Sequence, residues 1–193
     1  IRALREAQAP LVVEDLSLPP VDQDVARVPD APVDDAPLYM DVYGFAMGDA
    51  IYDFGRVAPN WEDTLRVSTI PTRGEPFGGD GNFRYGVRQS RLGIRGGYGE
   101  DLRFLLEGEL YGVGVDAGQT TFRLRHAWAS WKHLGLGQYW SNFMDADIFP
   151  NTIDYWGPTG MVLWRNQQPR YSLPFGEEEF AISFEDPTTA LSV

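Results

Sequence analysis

Charged side chains keep to alternate positions in four short segments of this sequence, and this alternation restricts the possible folds more than any other feature. The segments are residues 40–54, 90–98, 102–111 and 122–131. Their odd-numbered charged residues are Asp41, Asp49, Asp53, Arg91, Arg95, Arg103, Glu107, Glu109, Arg123 and Arg125. Successive side chains of a β-strand point to opposite faces. Each segment therefore predicts a strand with one apolar and one charged face.

The connections between the predicted strands alternate in length. We predict further strands at about 134–140, 161–173 and 179–185. The short connections are residues 98–101, 131–133 and 174–178, and the longer ones are residues 56–88, 112–121 and 141–160. Short turns at one end and long loops at the other are typical of an antiparallel up-and-down β-barrel in a membrane. The sequence therefore predicts an all-β transmembrane barrel, with residues 38–193 supplying about seven of its strands.

Two residues break the alternation. Arg88 is charged at an even position, so we place it in a loop or beyond a β-bulge. His126 falls on the apolar set of positions. There it requires a neutral ring or a subunit interface, because hydrocarbon does not solvate charge.

Aromatic residues on the apolar set fall near both ends of the predicted strands. Tyr98 and Trp128 lie near the short turns, whereas Tyr52, Phe54 and Phe122 lie near the long loops. Aromatic rings favour the two interfaces of a bilayer. The pattern predicts two aromatic belts.

A soluble β-sandwich also alternates, and we keep it as the alternative. Such a module would bind carbohydrate through exposed Trp and Tyr side chains. The small apolar positions of the first segment, among them Gly44, Ala46 and Gly48, favour the barrel, because a sandwich core seldom places so many small residues on one strand.

Composition excludes several functions. The net charge of -12 argues against a nucleic-acid partner. The chain has no Cys and only 2 His, and it contains no nucleophile elbow or metal-ligand spacing, so we predict no enzymatic activity, no metal and no cofactor. The longest stretch without Asp, Glu, Lys or Arg, His133 to Met144, is shorter than the ~20 residues that a transmembrane helix needs.

Residues 1–37 differ from the rest of the chain. Ile1 to Ala9 favours helix, and the residues that follow are rich in Pro and acidic side chains. We expect a helix remnant followed by a linker, with a disordered tail as the alternative. The first residue is Ile and the last residues resemble the start of a strand, so we expect the chain to be a piece of a longer protein.

Residues 141–160 are apolar for a surface loop. We expect their apolar and aromatic side chains, Tyr155 and Trp156 among them, to pack inside the barrel, so that Asp145, Asp147 and Asp154 face the pore. The alternatives are a folded surface loop and a contact between subunits. The odd-numbered Arg and Glu side chains would line the opposite wall, where arginines attract anions. Glu107 and Glu109 have a simpler role open to them, which is to pair with neighbouring arginines.

Several motifs resemble those of known porins. Residues 90–96 (SRLGIRG) are similar to the second-strand motif of Gram-negative porins. The other motifs resemble the DcaP-like family of outer-membrane porins more specifically. They are residues 122–128 (FRLRHAW), 137–145 (GQYWSNFMD), 150–158 (PNTIDYWGP) and the stretch from Arg165 to Tyr171.

This resemblance implies a trimeric barrel of roughly sixteen strands whose third loop folds inward, here residues 141–160. It also implies a periplasmic coiled coil before the barrel, which places residues 1–37 in the periplasm, and contact with the lipid bilayer and lipopolysaccharide. Family members are associated with passage of small anionic solutes such as dicarboxylates through an arginine-lined constriction. The matching positions are Arg91, Arg95, Arg123, Arg125 and Arg165.

Overall fold

The computed structural model describes residues 38–64, 79–144, 164–176 and 178–186. Nine strands account for most of these residues. They are β1 (Leu38–Phe45), β2 (Asp49–Asp53), β3 (Asn82–Gly86), β4 (Arg91–Tyr98), β5 (Leu102–Tyr111), β6 (Thr120–Trp131), β7 (Leu134–Trp140), β8 (Arg165–Phe175) and β9 (Glu178–Ser183). No helix in these ranges is long and apolar enough to cross a membrane.

Seven strands form one antiparallel sheet, in the order β1-β4-β5-β6-β7-β8-β9. Apart from the insertion between β1 and β4, each strand pairs with the next one along the chain, which is the up-and-down topology that the sequence predicts. β1 and β9 lie at the two edges, so the sheet does not close on itself within the described part of the chain.

The short connections all lie at one end of this sheet. They join β4 to β5, β6 to β7 and β8 to β9, and each contains a residue in the left-handed backbone region: Gly99 (φ 57°), Lys132 (φ 52°) and Gly176 (φ 69°). Glycine adopts this conformation without a steric penalty, which suits it to tight turns. The long segments leave from the other end, as predicted.

The prediction of one strand over residues 40–54 is wrong. β1 pairs with β4, whereas β2 pairs with β3, a strand inside the predicted loop 56–88, to form a separate two-stranded ribbon. The chain leaves the sheet near Met47, whose backbone N–H donates to the Ser90 hydroxyl at 3.0 Å. This contact with a side chain stands where a backbone hydrogen bond between β1 and β4 would otherwise continue the pairing. The alternating pattern of side chains runs on through Met47, so the sequence does not show that the strand is interrupted there. Arg88 lies between β3 and β4, outside the strands, as predicted.

A β-bulge in β6 changes the face on which later side chains lie. His126 is opposite Glu107, but the next pair along is Leu124 with Gly108, so β6 holds one extra residue, Arg125. The bulge brings Arg125 and His126 to the same side. His126 therefore lies on the charged face, and the prediction that placed it on the apolar face is wrong.

The same bulge corrects one member of the predicted aromatic belts. Trp128 is paired with Leu105 and is buried on the charged face, where its ring stacks on Tyr139 with 5.2 Å between centroids. Trp131 lies on the apolar face near the short turns instead and is 59% exposed. Tyr98 and Phe122 lie on the apolar face, as predicted, and both are exposed. Tyr52 belongs to β2 of the β2–β3 ribbon, and Phe54 directly follows that strand, so neither lies in the large sheet.

The apolar face of the seven-stranded sheet is uncovered. Its exposed side chains include Leu38, Met40, Val42, Leu92, Tyr98, Leu102, Leu106, Phe122, Trp131, Leu134, Leu136, Tyr171, Leu173, Phe175, Phe180 and Ile182. A β-sandwich would bury this face against a second sheet, and no layer of the described residues does so. The sandwich alternative therefore fails, whereas an all-β membrane wall requires such a face.

Candidate functional site

Charged residues gather on the opposite face of the sheet, toward its long-loop end. Arg91 is the register partner of Glu109 on the neighbouring strand, and Glu109 is the partner of Arg123 on the next. Glu107 lies two residues before Glu109 on β5 and therefore on the same face, and Arg125 is the extra residue of the bulge in β6. We call these five residues (Arg91, Glu107, Glu109, Arg123 and Arg125) the arginine–glutamate cluster. Opposite charges on adjacent strands stabilise this pairing.

Arg125 connects the two carboxylates of the cluster. Its Nε lies 2.6 Å from Glu107 Oε1, and its Nη1 lies 2.6 Å from Glu109 Oε2. Arg123 binds the other oxygen of Glu109, and Arg91 Nε lies 3.6 Å from Glu107 Oε1. Glu107 and Glu109 therefore both pair with neighbouring arginines, which is the simpler of the two roles that the sequence left open for them.

Tyr43 completes the environment of Glu107. Its hydroxyl donates to Glu107 Oε2 at 2.7 Å, and the Glu107 side chain is fully buried. A buried carboxylate without partners is strongly destabilising, so this set of donors is what allows Glu107 to lie there as an anion. The cluster holds three guanidinium groups against two carboxylates, which leaves it with one positive charge.

An aromatic group borders the cluster on the β7 side. The His126 ring is fully buried, with its centroid 5.1 Å from that of Tyr139 and 4.9 Å from that of Trp140. The guanidinium groups of Arg125 and Arg165 lie 5.7 Å and 4.9 Å from the centre of the Trp140 ring. Such contacts between arginine and an aromatic face are favourable. Through Trp140, the predicted site residue Arg165 lies next to the cluster.

Two other predicted pore arginines lie apart, toward the short turns. Arg95 binds Asp41 Oδ2 through both Nε (3.0 Å) and Nη2 (2.9 Å). Arg103 donates to the backbone carbonyls of Gly99 and Leu102, at 2.8 Å and 2.9 Å. Both share the charged face, but each is engaged locally.

The predicted loop residues Asp145, Asp147, Asp154, Tyr155 and Trp156 lie outside the described residues. The structure does describe both flanks of this loop. The Ser141 N–H donates to the Trp164 carbonyl at 3.0 Å, and the Asn142 N–H donates to Glu185 Oε1 at 2.9 Å. The intervening segment therefore leaves and re-enters the sheet at one place, at its long-loop end.

A second buried ion pair anchors the long insertion between β1 and β4. Arg88 Nε donates to Asp63 Oδ2 at 2.7 Å, a second guanidinium nitrogen binds Oδ1, and Arg88 also reaches the Tyr111 hydroxyl at 3.3 Å. Trp61 packs on Tyr111 with 5.4 Å between ring centroids. Burial by itself lowers the pKa of Arg88, but the hydrogen bonds and charges of Asp63 and its neighbours raise the pKa above its usual value.

Sequence reasoning missed Tyr43, His126 and Trp140 as members of this site. Tyr43 has the same parity as Asp41, so the alternation of β1 could have identified it. The other two depend on the β6 bulge and on packing between β6 and β7, for which the sequence shows no sign. The described residues contain no group of His, Asp and Glu suited to hold a metal ion.

Comparison with known proteins identifies the family. The DcaP outer membrane protein family matches residues 20–176, most of the chain. The chain belongs to this family. The resemblance seen in the sequence motifs is thereby confirmed, as is the location in the outer membrane.

A solved structure supports the same assignment. The crystal structure of the outer membrane channel DcaP of Acinetobacter baumannii matches with a TM-score of 0.64 and 26% sequence identity. The match covers 81% of this DcaP family chain and 43% of the channel's chain. The chain thus spans less than half the length of that channel. No curated protein matches the sequence.

Proposed function

We propose that this chain forms part of the wall of an outer membrane channel through which small hydrophilic solutes diffuse passively, with a preference for anions. The single observation that carries the proposal is the opposition of the two sheet faces. One face is apolar and uncovered, and the other carries the arginine–glutamate cluster. A barrel wall between hydrocarbon and a water-filled pore needs this arrangement.

Seven strands are one arc of such a wall. Known outer-membrane barrels have at least about eight strands, and an open sheet edge is not tolerated in hydrocarbon. The edges formed by β1 and β9 must therefore pair with further strands in the membrane. We propose a homotrimeric assembly of roughly sixteen-stranded barrels, in contact with lipid and lipopolysaccharide, as the family resemblance implies.

The preference for anions follows from the balance of charge. Three guanidinium groups face two carboxylates in the cluster, and Arg165 adds a further positive charge beside it. Arginine presents a planar fork of donors that fits a carboxylate, so dicarboxylates are the solute class that this wall suits best. A positive potential at a constriction raises the local concentration of anions.

We further propose that residues 141–160 narrow the pore opposite these arginines. The support is the position of their flanks, since Ser141 and Trp164 are joined by a backbone hydrogen bond. Asp145, Asp147 and Asp154 would then face Arg123 and Arg165 across the opening. Acidic and basic groups on opposite sides of a constriction produce a transverse field that orients passing solutes. Tyr155 and Trp156 would hold the loop against the wall.

The test is ion selectivity in a planar bilayer under a KCl gradient. Arg123→Gln removes one positive charge while Glu109 keeps Arg125 as its partner, so the cluster stays paired. We expect the ratio of anion to cation permeability to fall about two- to threefold, the effect of roughly one kT of potential. Replacing Arg123 and Arg125 together should reduce it further.

Arg103→Gln is the matched control, because Arg103 is bound at the short-turn end, and it should leave the ratio close to that of the unmodified channel. A channel that conducts but whose reversal potential is the same with and without Arg123 would refute the assignment of the anion preference to the arginine–glutamate cluster. Absence of any conductance in the reconstituted protein would refute the channel itself.

A further inference from the structure

Gln138, like Gln167 beside it, is a polar side chain on the otherwise apolar face. It lies on β7, opposite Ala127 of β6 and Gln167 of β8, and its neighbours on this face include Leu124, Leu136 and Pro169. An amide in hydrocarbon is costly unless its hydrogen bonds are satisfied. Its presence on this face therefore requires an explanation from its contacts.

The Gln138 amide donates to two backbone carbonyls of the β6 bulge. Its Nε2 lies 3.2 Å from the Leu124 carbonyl oxygen and 2.9 Å from the Arg125 carbonyl oxygen. The pairing of β6 with β7 ends at Ala127 and Gln138, so the β7 ladder does not extend to these two residues. The side chain supplies donors where the backbone ladder stops.

The hydrogen bonds of Gln138 affect the opposite, charged face of the sheet, because the bulge that they hold directs Arg125 toward that face. Arg125 is the extra residue of β6, and its guanidinium bridges Glu107 and Glu109. A strand without the bulge would place Arg125 and His126 on opposite faces. One of the two would then point into the hydrocarbon.

We propose that Gln138 is a positioning residue for ion selectivity: from the lipid side of the sheet, its amide holds the β6 bulge and thereby keeps the Arg125 guanidinium between Glu107 and Glu109. This inference rests on the proposed function. It assigns to a residue outside the pore a role in the charge pattern of the pore wall.

The chemistry of the side chain explains why glutamine is needed. One NH₂ group has two hydrogens, so it serves both carbonyls at once. Methionine has nearly the same length and suits lipid, but it has no donor. Asparagine keeps the donors and is one methylene shorter, so it reaches the two carbonyls less well. The three side chains form a graded series with little change in bulk.

The experiment compares Gln138→Met, Gln138→Asn, Arg125→Gln and the double variant Arg125→Gln with Gln138→Met in the assembled channel. Gln167→Met is the matched control, because Gln167 is an exposed glutamine directly opposite Gln138 on the same face. We expect Gln138→Met to lower the anion-to-cation permeability ratio by as much as Arg125→Gln does, about two- to threefold. The double variant should have the same permeability ratio as the single variants. The ratio for Gln138→Asn should lie between those of Gln138→Met and the unmodified channel, and Gln167→Met should leave the ratio unchanged.

A second readout does not depend on conductance. A folded barrel runs faster on a gel than the same protein after heat unfolding, so the temperature at which the fast band disappears measures its stability. This temperature should fall for Gln138→Met and for Arg125→Gln, and the two effects should be non-additive in the double variant. Additive effects, or an unchanged reversal potential in an assembled Gln138→Met channel, would overturn the positioning role. If Gln138→Met does not assemble, the same criteria apply to Gln138→Asn.

Failure of the proposed function has a different signature. In that case Arg125→Gln itself would not alter selectivity, or no channel would conduct, while the non-additive thermal effect of Gln138 and Arg125 would persist.

Discussion

The Tyr43 hydroxyl donates to Glu107 across an intervening strand, with 2.7 Å between the two oxygens. Gly93 of β4 is the register partner of both residues, so the three positions form one row across β1, β4 and β5. A Cβ atom at Gly93 would overlap the Tyr43 ring. The missing side chain at Gly93 is therefore what allows Tyr43 to reach Glu107.

Removal of this hydroxyl should destabilise the barrel. Tyr43→Phe leaves one oxygen of the buried Glu107 carboxylate without its donor, which costs about 1–3 kcal/mol of unfolding free energy. Urea-dependent unfolding in lipid vesicles, followed by tryptophan fluorescence, measures the loss. Tyr98→Phe, on the exposed apolar face, serves as control and should change stability little. Equal effects of the two substitutions would contradict a structural role of the hydrogen bond.

Filling the gap at Gly93 should have a larger effect. Gly93→Val displaces the Tyr43 ring, so it removes the same hydrogen bond and adds overpacking, which together cost about 2–6 kcal/mol. In a double variant with Tyr43→Ala, the side chain at residue 93 gains room, and part of the loss should be recovered. No recovery in unfolding experiments would show that the glycine serves some purpose other than the passage of Tyr43.

The buried pair of Arg88 and Asp63 should anchor the long insertion. Arg88→Met leaves a buried carboxylate unpaired, which costs about 3–5 kcal/mol, and replacing both partners by apolar residues should restore most of this loss. Limited proteolysis within residues 65–78 reports the loosening of the insertion. Arg84→Met is the control, because Arg84 pairs with Glu62 on the surface, where such pairs contribute at most about 1 kcal/mol. Cleavage that is equally rapid in both variants would argue against the anchor.

Trp128 and Trp131 should differ in their access to lipid. Lipids with brominated acyl chains quench tryptophans that face hydrocarbon. Trp131→Phe should remove a quenchable contribution, whereas Trp128→Phe should not, because Trp128 lies on the charged face beneath Tyr139 and Arg170. The reverse result would mean that β6 contains no bulge.

A charge on the apolar face should destabilise the folded state. Leu106→Arg places a guanidinium near the middle of β5 on the lipid side, which costs about 2–4 kcal/mol at the bilayer midplane. Glu100→Arg in the neighbouring short turn, an exposed position, should be nearly neutral. Unfolding measurements that rank the two variants equally would contradict the assignment of this face to hydrocarbon.

The alternation of charge in four segments, together with the alternating lengths of the connections, was enough to predict the type of fold, the order of the strands in the large sheet and the face of most of the charged residues. Arg91, Arg95, Arg103, Glu107 and Glu109 lie on the side that parity predicts, because their strands pair without a register shift. In a regular strand successive side chains point to opposite faces, so the face of each residue follows from its position in the sequence.

The tertiary structure alone decided where that rule changes. Met47 leaves the sheet through a contact with Ser90, and Trp128 reverses its face because β6 holds one residue more than β5 at the bulge. Both changes depend on partners that are distant in sequence, among them the Gln138 amide. Local alternation describes one strand at a time, whereas register is a property of two strands, so the position of Arg125 between Glu107 and Glu109 emerges only when the strands are paired.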